Sequence, residues 1–189
     1  MRILRSADHR RMPWKNGAGE TVEIAVFPEG ASVEDFDCRV SMASVVTDGA
    51  FSLFPGVDRT LSILSGEGLS LSVEGHDAAT LRTDSEPYGF PADLPTKARL
   101  MAGPVADLNV MTRRGRYVHR VTRQVGQRFK LDARQATLLA MGQGTLGSEG
   151  GDIRLHSLDA IVLDHGEQVV LIADRDVTLF VVEIALVAA

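Results

Sequence analysis

Short alternating runs of apolar and polar residues dominate the chain, and helical periodicity is scarce. "TVEIAVF", "DCRVSMASV", "RTLSILSGEGLSLSV", "DLNVMTR", "QATLLAMG", "LDAIVLD", "EQVVLIAD" and "VTLFVVEIAL" each read as strands, cut by Gly, Pro, Asp or Ser clusters. Strands this short and frequent, punctuated by 18 glycines, predict an all-β barrel or sandwich. Helix is confined to a turn or two, around "ASVEDF" or "DARQA". "RTDSEPYGFPADLPTKA" reads as a long irregular connection that packs through Tyr88 and Phe90.

The pattern has an internal echo. "TLSILSGEGLSL" and "TLLAMGQGTLGS" share an apolar strand, a Gly-x-Gly and a further apolar residue, at a spacing near half the chain. Two similar β units follow, the second starting between Arg120 and Arg128. The plainer alternative is that hairpins look alike. In the second half, "LLAMG", "AIVLD", "VVLIA" and "LFVVEIA" are nearly continuous apolar runs, which suit a packed core better than a pocket.

Alternation sorts the strands of the first half into two faces. Val22, Ile24 and Val26 share one face, with Thr21 and Glu23 on the other. Cys38, Val40 and Met42 oppose Asp37, Arg39 and Ser41; Leu108 and Val110 oppose Asp107, Asn109, Met111 and Arg113. Such polar faces usually meet water. Arg-x-Ser and Asn-x-Met-x-Arg instead mix directional hydrogen-bonders with an apolar Met, as the lining of a polar pocket would. The planar fork of arginine suits bidentate capture of a carboxylate, so Arg39, Arg59 and Arg113 point to a small anion.

Composition narrows the partners. A net charge of −5 and a pI near 5.5 disfavour nucleic acid and an anionic membrane surface. Cys38 is the only cysteine, so no internal disulfide forms and a reducing compartment fits. The first residues lack the apolar stretch of a signal peptide, and "VTLFVVEIALVAA" is too short to span a bilayer, so a cytoplasmic location is expected. The five histidines are scattered without ligand spacing; neither a metal nor another cofactor is expected. Cys38 falls on an apolar face, as an inert thiol would. No nucleophile elbow, phosphate loop or dinucleotide fingerprint occurs.

"PWKNGAGETVEI", "FDCRVSMASV", "DGAFSLFPGVDRTLSILSGEGLSL" and "AGPVADLNVMTRRG" together resemble the HutD/Ves family, metal-lacking bicupins found with bacterial histidine-utilisation genes. The resemblance covers most of Pro13 to Gly115; beyond Arg116 only the general strand pattern is similar. It implies an all-β bicupin, with an N-terminal barrel over residues 1–118 that carries the pocket and a C-terminal unit over 119–189. It also implies a pocket from Trp14, Lys15, Asn16, Thr21, Glu23, Arg39, Ser41, Phe54, Arg59, Asp107, Asn109, Met111 and Arg113. Three positions depart from the family pattern: Ala18 between Gly17 and Gly19, Cys38 where a Trp is usual, and Phe90-Pro91-Ala92-Asp93, which leaves Asp93 without an assigned role.

The resemblance implies binding of a small acidic metabolite such as formylglutamate or formiminoglutamate, with a regulatory consequence in histidine utilisation. Arg59 and Arg113 would hold a carboxylate, Asn16, Asn109 and Ser41 would add neutral hydrogen bonds, Trp14 an apolar wall and Lys15 a further charge. Glu23 and Asp107 would orient the arginines. A homodimer is expected, as cupins often pair through their sheets. The alternative is a metal-independent isomerase or hydrolase using Lys15, Glu23 or Asp107 in acid–base roles. A third is a protein-interaction module with a vestigial pocket.

Overall fold

The computed structural model of the chain describes residues 1–15, 17 and 19–187, nearly all of its regular structure being β. In chain order the strands of the first half are β1 (Arg2–Leu4), β2 (Arg10–Pro13), β3 (Gly19–Phe27), β4 (Cys38–Val45), β5 (Gly49–Ala50) and β6 (Val57–Ser65). Then come β7 (Leu69–Val73), β8 (Ala79–Leu81), β9 (Tyr88–Pro91), β10 (Thr96–Leu100) and β11 (Val105–Arg113). The second half holds β12 (Tyr117–Asp132), β13 (Thr137–Gly142), β14 (Leu146–Ser148), β15 (Arg154–Leu155), β16 (Ala160–Leu163) and β17 (Gln168–Leu186).

Contacts divide the chain into two compact units, Arg10–Val118 and a second made of Met1–His9 with the chain from His119 onward. The first nine residues, placed with the N-terminal barrel by the sequence, thus belong to the other unit. The reason is pairing: β1 lies antiparallel on β16 with Ile3 opposite Ile161, and Arg5 Nη1 donates to Asp159 Oδ2 at 2.8 Å. A three-residue strand carries too little alternation to be seen in the sequence.

The unit Arg10–Val118 is a sandwich. One sheet runs β2-β3-β4-β11-β6-β9 and the other β5-β10-β7-β8. Leu61, Ile63, Phe90 and Val105 of the first meet Leu69, Leu71, Val73, Leu81 and Ala98 of the second in one core. Each fully buried Leu there contributes about 1.5–3 kcal/mol relative to exposure. A smaller cluster of Phe36, Val57, Ala92 and Met111 closes another part of the interior. The stretch expected to be an irregular connection contains β9 and the start of β10, and Phe90 pairs directly with Arg59 across β6.

The other unit is one sheet, β1-β16-β13-β17-β14-β15, with β12 also on β17. Its main core is apolar, with Phe129, Leu131, Leu138, Leu146, Ile161, Leu163, Leu171 and Leu179 in one cluster. That filling accounts for the continuous apolar runs of its strands. "EQVVLIAD" and "VTLFVVEIAL" form one long strand, β17, because the exposed Asp174–Asp176 between them stays extended.

The helical expectation fails at both places named. Among the described residues the helical turn is a 3-10 turn at Ser6–Asp8. In "ASVEDF" the Ser32 hydroxyl accepts from the Glu34 main chain and donates to Asp35, a local side-chain turn that replaces helix. "DARQA" is a bend between β12 and β13.

Strand faces follow alternation except at two irregularities: β6 shifts register on β11 between Ala106 and Asp107, and β3 bulges on β4. Glu23 stands opposite Ser41, but the register shifts and Val26 then stands opposite Arg39. Ile24 is the extra residue, so Val26 turns to the inner side and packs on the Phe36, Val57 and Met111 cluster. It does not share the face of Val22 and Ile24, as strict alternation had it.

Candidate functional site

A cavity of roughly 530 Å³ opens in the sandwich unit. Its lining includes Trp14, Lys15, Thr21, Arg39, Ser41, Phe54, Arg59, Asp107, Asn109 and Met111. β4 and β11 together form one wall of it because Arg39, Ser41 and Ala43 pair in register with Met111, Asn109 and Asp107, and opposed residues in an antiparallel pair share a face. Asn16, also expected here, lies outside the described residues.

Arg59 is the centre of the site. It stands opposite Met111 and is only 4% exposed. Its guanidinium carbon lies 5.2 Å from the Phe51 and Phe54 ring centroids and 5.8 Å from that of Phe90. Aromatic faces attract a cation, by about 2 kcal/mol when water is excluded. Among the described residues Nη2 meets the Met111 thioether at 3.7 Å, and buried Nε has no acceptor. Burial pulls its pKa down to about 10, with Asp107 raising it and Arg39 lowering it further. It stays charged at neutral pH.

The Phe54 ring is set by the turn that follows it. Val57 N–H donates to Phe54 C=O across Pro55-Gly56, and Gly56 has φ +69°. Proline then glycine is what a type II turn requires at those positions. Asp93, left without a role by the sequence, accepts from the Gly56 main chain at 3.2 Å and from Arg114 at 2.9 Å, bracing this turn.

Glu23 orients Arg39, as expected: Arg39 Nε donates to Glu23 Oε2 at 2.8 Å. Asp107 does not do the same for Arg59. It has no exposed surface, accepts from Asn109 Nδ2 at 2.5 Å through Oδ1 and is favoured as the anion by the Ala43 main-chain N–H as well, while among the described residues Oδ2 has no donor within hydrogen-bond distance. Burial raises its pKa to about 7 against the opposing pull of Arg59 and the Asn109 bond.

At the lip, Trp14 Nε1 donates to Thr21 Oγ1 at 2.8 Å, which fixes the indole over the cavity edge. The turn is closed by Trp14 N–H to Gly19 C=O at 2.9 Å. Gly19 is needed for space, since a Cβ there would sit 2.0 Å from the Ser44 carbonyl oxygen. Lys15 is exposed beside it.

Arg113 is not brought to the cavity. Its guanidinium donates to three main-chain carbonyls, Pro55 at 3.2 Å and Glu34 and Phe36 at 3.0 Å, and stacks 5.6 Å from the Phe36 ring. It clamps two loops together. The next arginines are ion-paired as well, Arg114 to Asp58 and Asp93 and Arg116 to Asp37.

The residues that the sequence missed form a strap. Thr47, Asp48, Gly49, Ala50, Phe51 and Ser52 line the cavity, held by Leu100 N–H to Asp48 at 2.8 Å and Phe51 N–H to Thr96 C=O at 2.9 Å. Phe51, three residues before Phe54 in "DGAFSLFPG", was the visible signal. Cys38 is inert, its thiol pushed up to about 12 by burial and by Asp37. Among the described residues no three His, Cys, Asp or Glu side chains gather as metal ligands. No helix there is long and apolar enough to cross a membrane.

Comparison with known proteins agrees with this architecture. The sequence model of the HutD family matches residues 6–181. Protein Ves of Citrobacter koseri is 46% identical over 114 residues, 58% of either chain. An uncharacterised Pseudomonas putida protein from the region 3′ of hutC is 33% identical over 117 residues, 62% of this chain and 60% of that one. The chain therefore spans less than two thirds of these curated relatives. Among solved structures, HutD from Pseudomonas fluorescens SBW25 in a formate condition has a TM-score of 0.81 and 29% identity over 99% of both chains. A cupin 2 conserved barrel protein from Leptotrichia buccalis shares the fold at a TM-score of 0.56 and 10% identity, over 87% of this chain and 88% of that one.

Proposed function

The chain belongs to the HutD family and has its cupin fold, and from that premise we propose that its cavity binds a small acidic metabolite of the formylglutamate or formiminoglutamate kind. One observation carries the reading: Arg59 is a charged guanidinium, 4% exposed, and among the described residues no carboxylate closes onto it and Nε has no acceptor. A buried cation left this open is a receptor for an anion, because the anion replaces hydration that the guanidinium has already lost. Ser41, Asn109 and Thr21 offer neutral hydrogen bonds, and Trp14 and Lys15 border the entrance. The arrangement supports recognition, with a regulatory effect on histidine utilisation as its cytoplasmic outcome; the Pseudomonas putida relative lies in a hutC region.

Thermal unfolding tests this. N-formylglutamate at saturating concentration raises the melting temperature by mass action. Arg59→Met, which keeps the contact with the rings and removes the charge, loses that rise. A panel of such acids that leaves wild type unmoved contradicts the proposal.

A second reading, acid–base catalysis, is favoured by Asp107, whose carboxyl titrates near neutrality in the cavity wall. The same mixtures followed by NMR over hours separate the two: unchanged acid supports binding, and a new product supports turnover.

A further inference from the structure

We propose that the cavity takes up a proton together with its anion, and that Asp107 is the group that holds it. This inference rests on the anion-binding reading above and concerns how that site is regulated. It starts from the charges around the cavity. Lys15, Arg39 and Arg59 line it, and Glu23, Asp48 and Asp107 match them one for one. An arriving anion would leave the site with surplus negative charge.

Two of the three carboxylates are committed. Glu23 accepts from Arg39 at 2.8 Å, and exposed Asp48 accepts from the Leu100 main chain at 2.8 Å. Asp107 is different. It has no exposed surface and its Oδ2 lacks a donor. From β4, Ala43 stands opposite it, with Arg39 farther along; from β6, Ile63 stands opposite, with Arg59 farther along. β3 contributes Thr21 and Glu23, and β10 contributes Ala98. Arg59 is therefore the cation whose field favours the ionised carboxylate, and it acts without forming an ion pair.

An anion against Arg59 cancels that field and adds a second negative charge in a poorly solvated space. Two such charges repel strongly, and the neutral acid becomes the lower-energy form. The proton comes from solvent and binds Asp107 Oδ2; no other bond forms or breaks. Burial has already lifted this carboxyl to about 7, so the further rise that the second charge brings acts within and just above the physiological range. The sign follows from linkage. Asp107 holds its proton more tightly in the complex than in the free protein, so affinity is level below about pH 7 and falls above it. The fall approaches about tenfold per pH unit until the complex itself titrates.

Calorimetry of the whole protein with N-formylglutamate tests this near pH 8, in HEPES and in Tris, whose ionisation heats differ. The carboxylates of the probe stay ionised in this range, so protons counted belong to the protein. The expected result is uptake of most of one proton near pH 8 and almost none near pH 6. Asp107→Asn takes up none and binds more tightly than wild type above about pH 8, because its site already lacks the opposing charge. Wild-type binding without proton uptake overturns the inference, as does uptake that persists in Asp107→Asn. If binding is lost in Arg59→Met yet shows no proton linkage in wild type, the anion reading stands and this inference falls. If N-formylglutamate neither binds nor protects wild type, both fall.

Discussion

Asp107 carries a cost that has a pH signature even without ligand. In the unfolded chain its carboxyl titrates near the usual 3.8, whereas burial holds it protonated up to about 7 in the fold. Between those values the folded state binds more protons, so this residue's contribution to stability falls as pH rises and is lost above about 7. Asp107→Asn keeps the shape and removes the titration. Its unfolding free energy is expected to be flatter from about pH 4 to 7 and higher than wild type near pH 8, by about 1–3 kcal/mol. Urea titrations at several pH values read this, and a variant that is less stable near pH 8 contradicts it. Arg39 shows the contrasting arrangement: its Nε is ion-paired with Glu23 at 2.8 Å, the two side chains being 7% and 11% exposed.

Among the elements, β11 does most to build the site, and it does so by alternation. Asp107, Asn109 and Met111 face the cavity while Leu108 and Val110 are buried on the other side. Arg113 continues the alternation, yet at the strand end its long side chain reaches the carbonyls of Glu34, Pro55 and Phe36. Arg113→Ala is therefore expected to destabilise the fold by about 1–3 kcal/mol through unsatisfied carbonyls and freed loops. Denaturant unfolding measures the loss, and the melting-temperature rise on N-formylglutamate should survive it. A variant of wild-type stability that no longer responds to the acid would return Arg113 to the ligand. The sequence placed this residue on the correct face, but a period of two says nothing about where a side chain as long as arginine's ends. The β3 bulge was equally invisible, since "TVEIAVF" alternates without interruption.

At the scale of the whole molecule, Met1–His9 joins the unit that contains the second half of the chain. Asp159 is the anchor. Burial opposes its charge, but main-chain N–H groups of Ser6 and His156 and the Arg5 guanidinium hold its carboxyl well below the usual carboxylate range. Asp159→Ala leaves those donors unpaired. We expect a loss of about 1–3 kcal/mol, with faster hydrogen exchange over β1 and β16. Exchange that accelerates instead over β4 and β11 would contradict the assignment of β1 to this unit.

Local pattern and composition by themselves determined that the chain is all-β and that β3, β4 and β11 carry polar faces. Those are consequences of a side-chain period of two, which operates within a few residues. The motif resemblance named most of the cavity lining in advance. Tertiary structure decided the rest: the enclosure of Arg59 by Phe51, Phe54 and Phe90, the diversion of Arg113 to loop carbonyls, and the full burial of Asp107 without an ion pair. Each depends on which residues from distant strands share one small volume, and on how much water that volume excludes. Neither quantity is carried by the order of residues along a single strand.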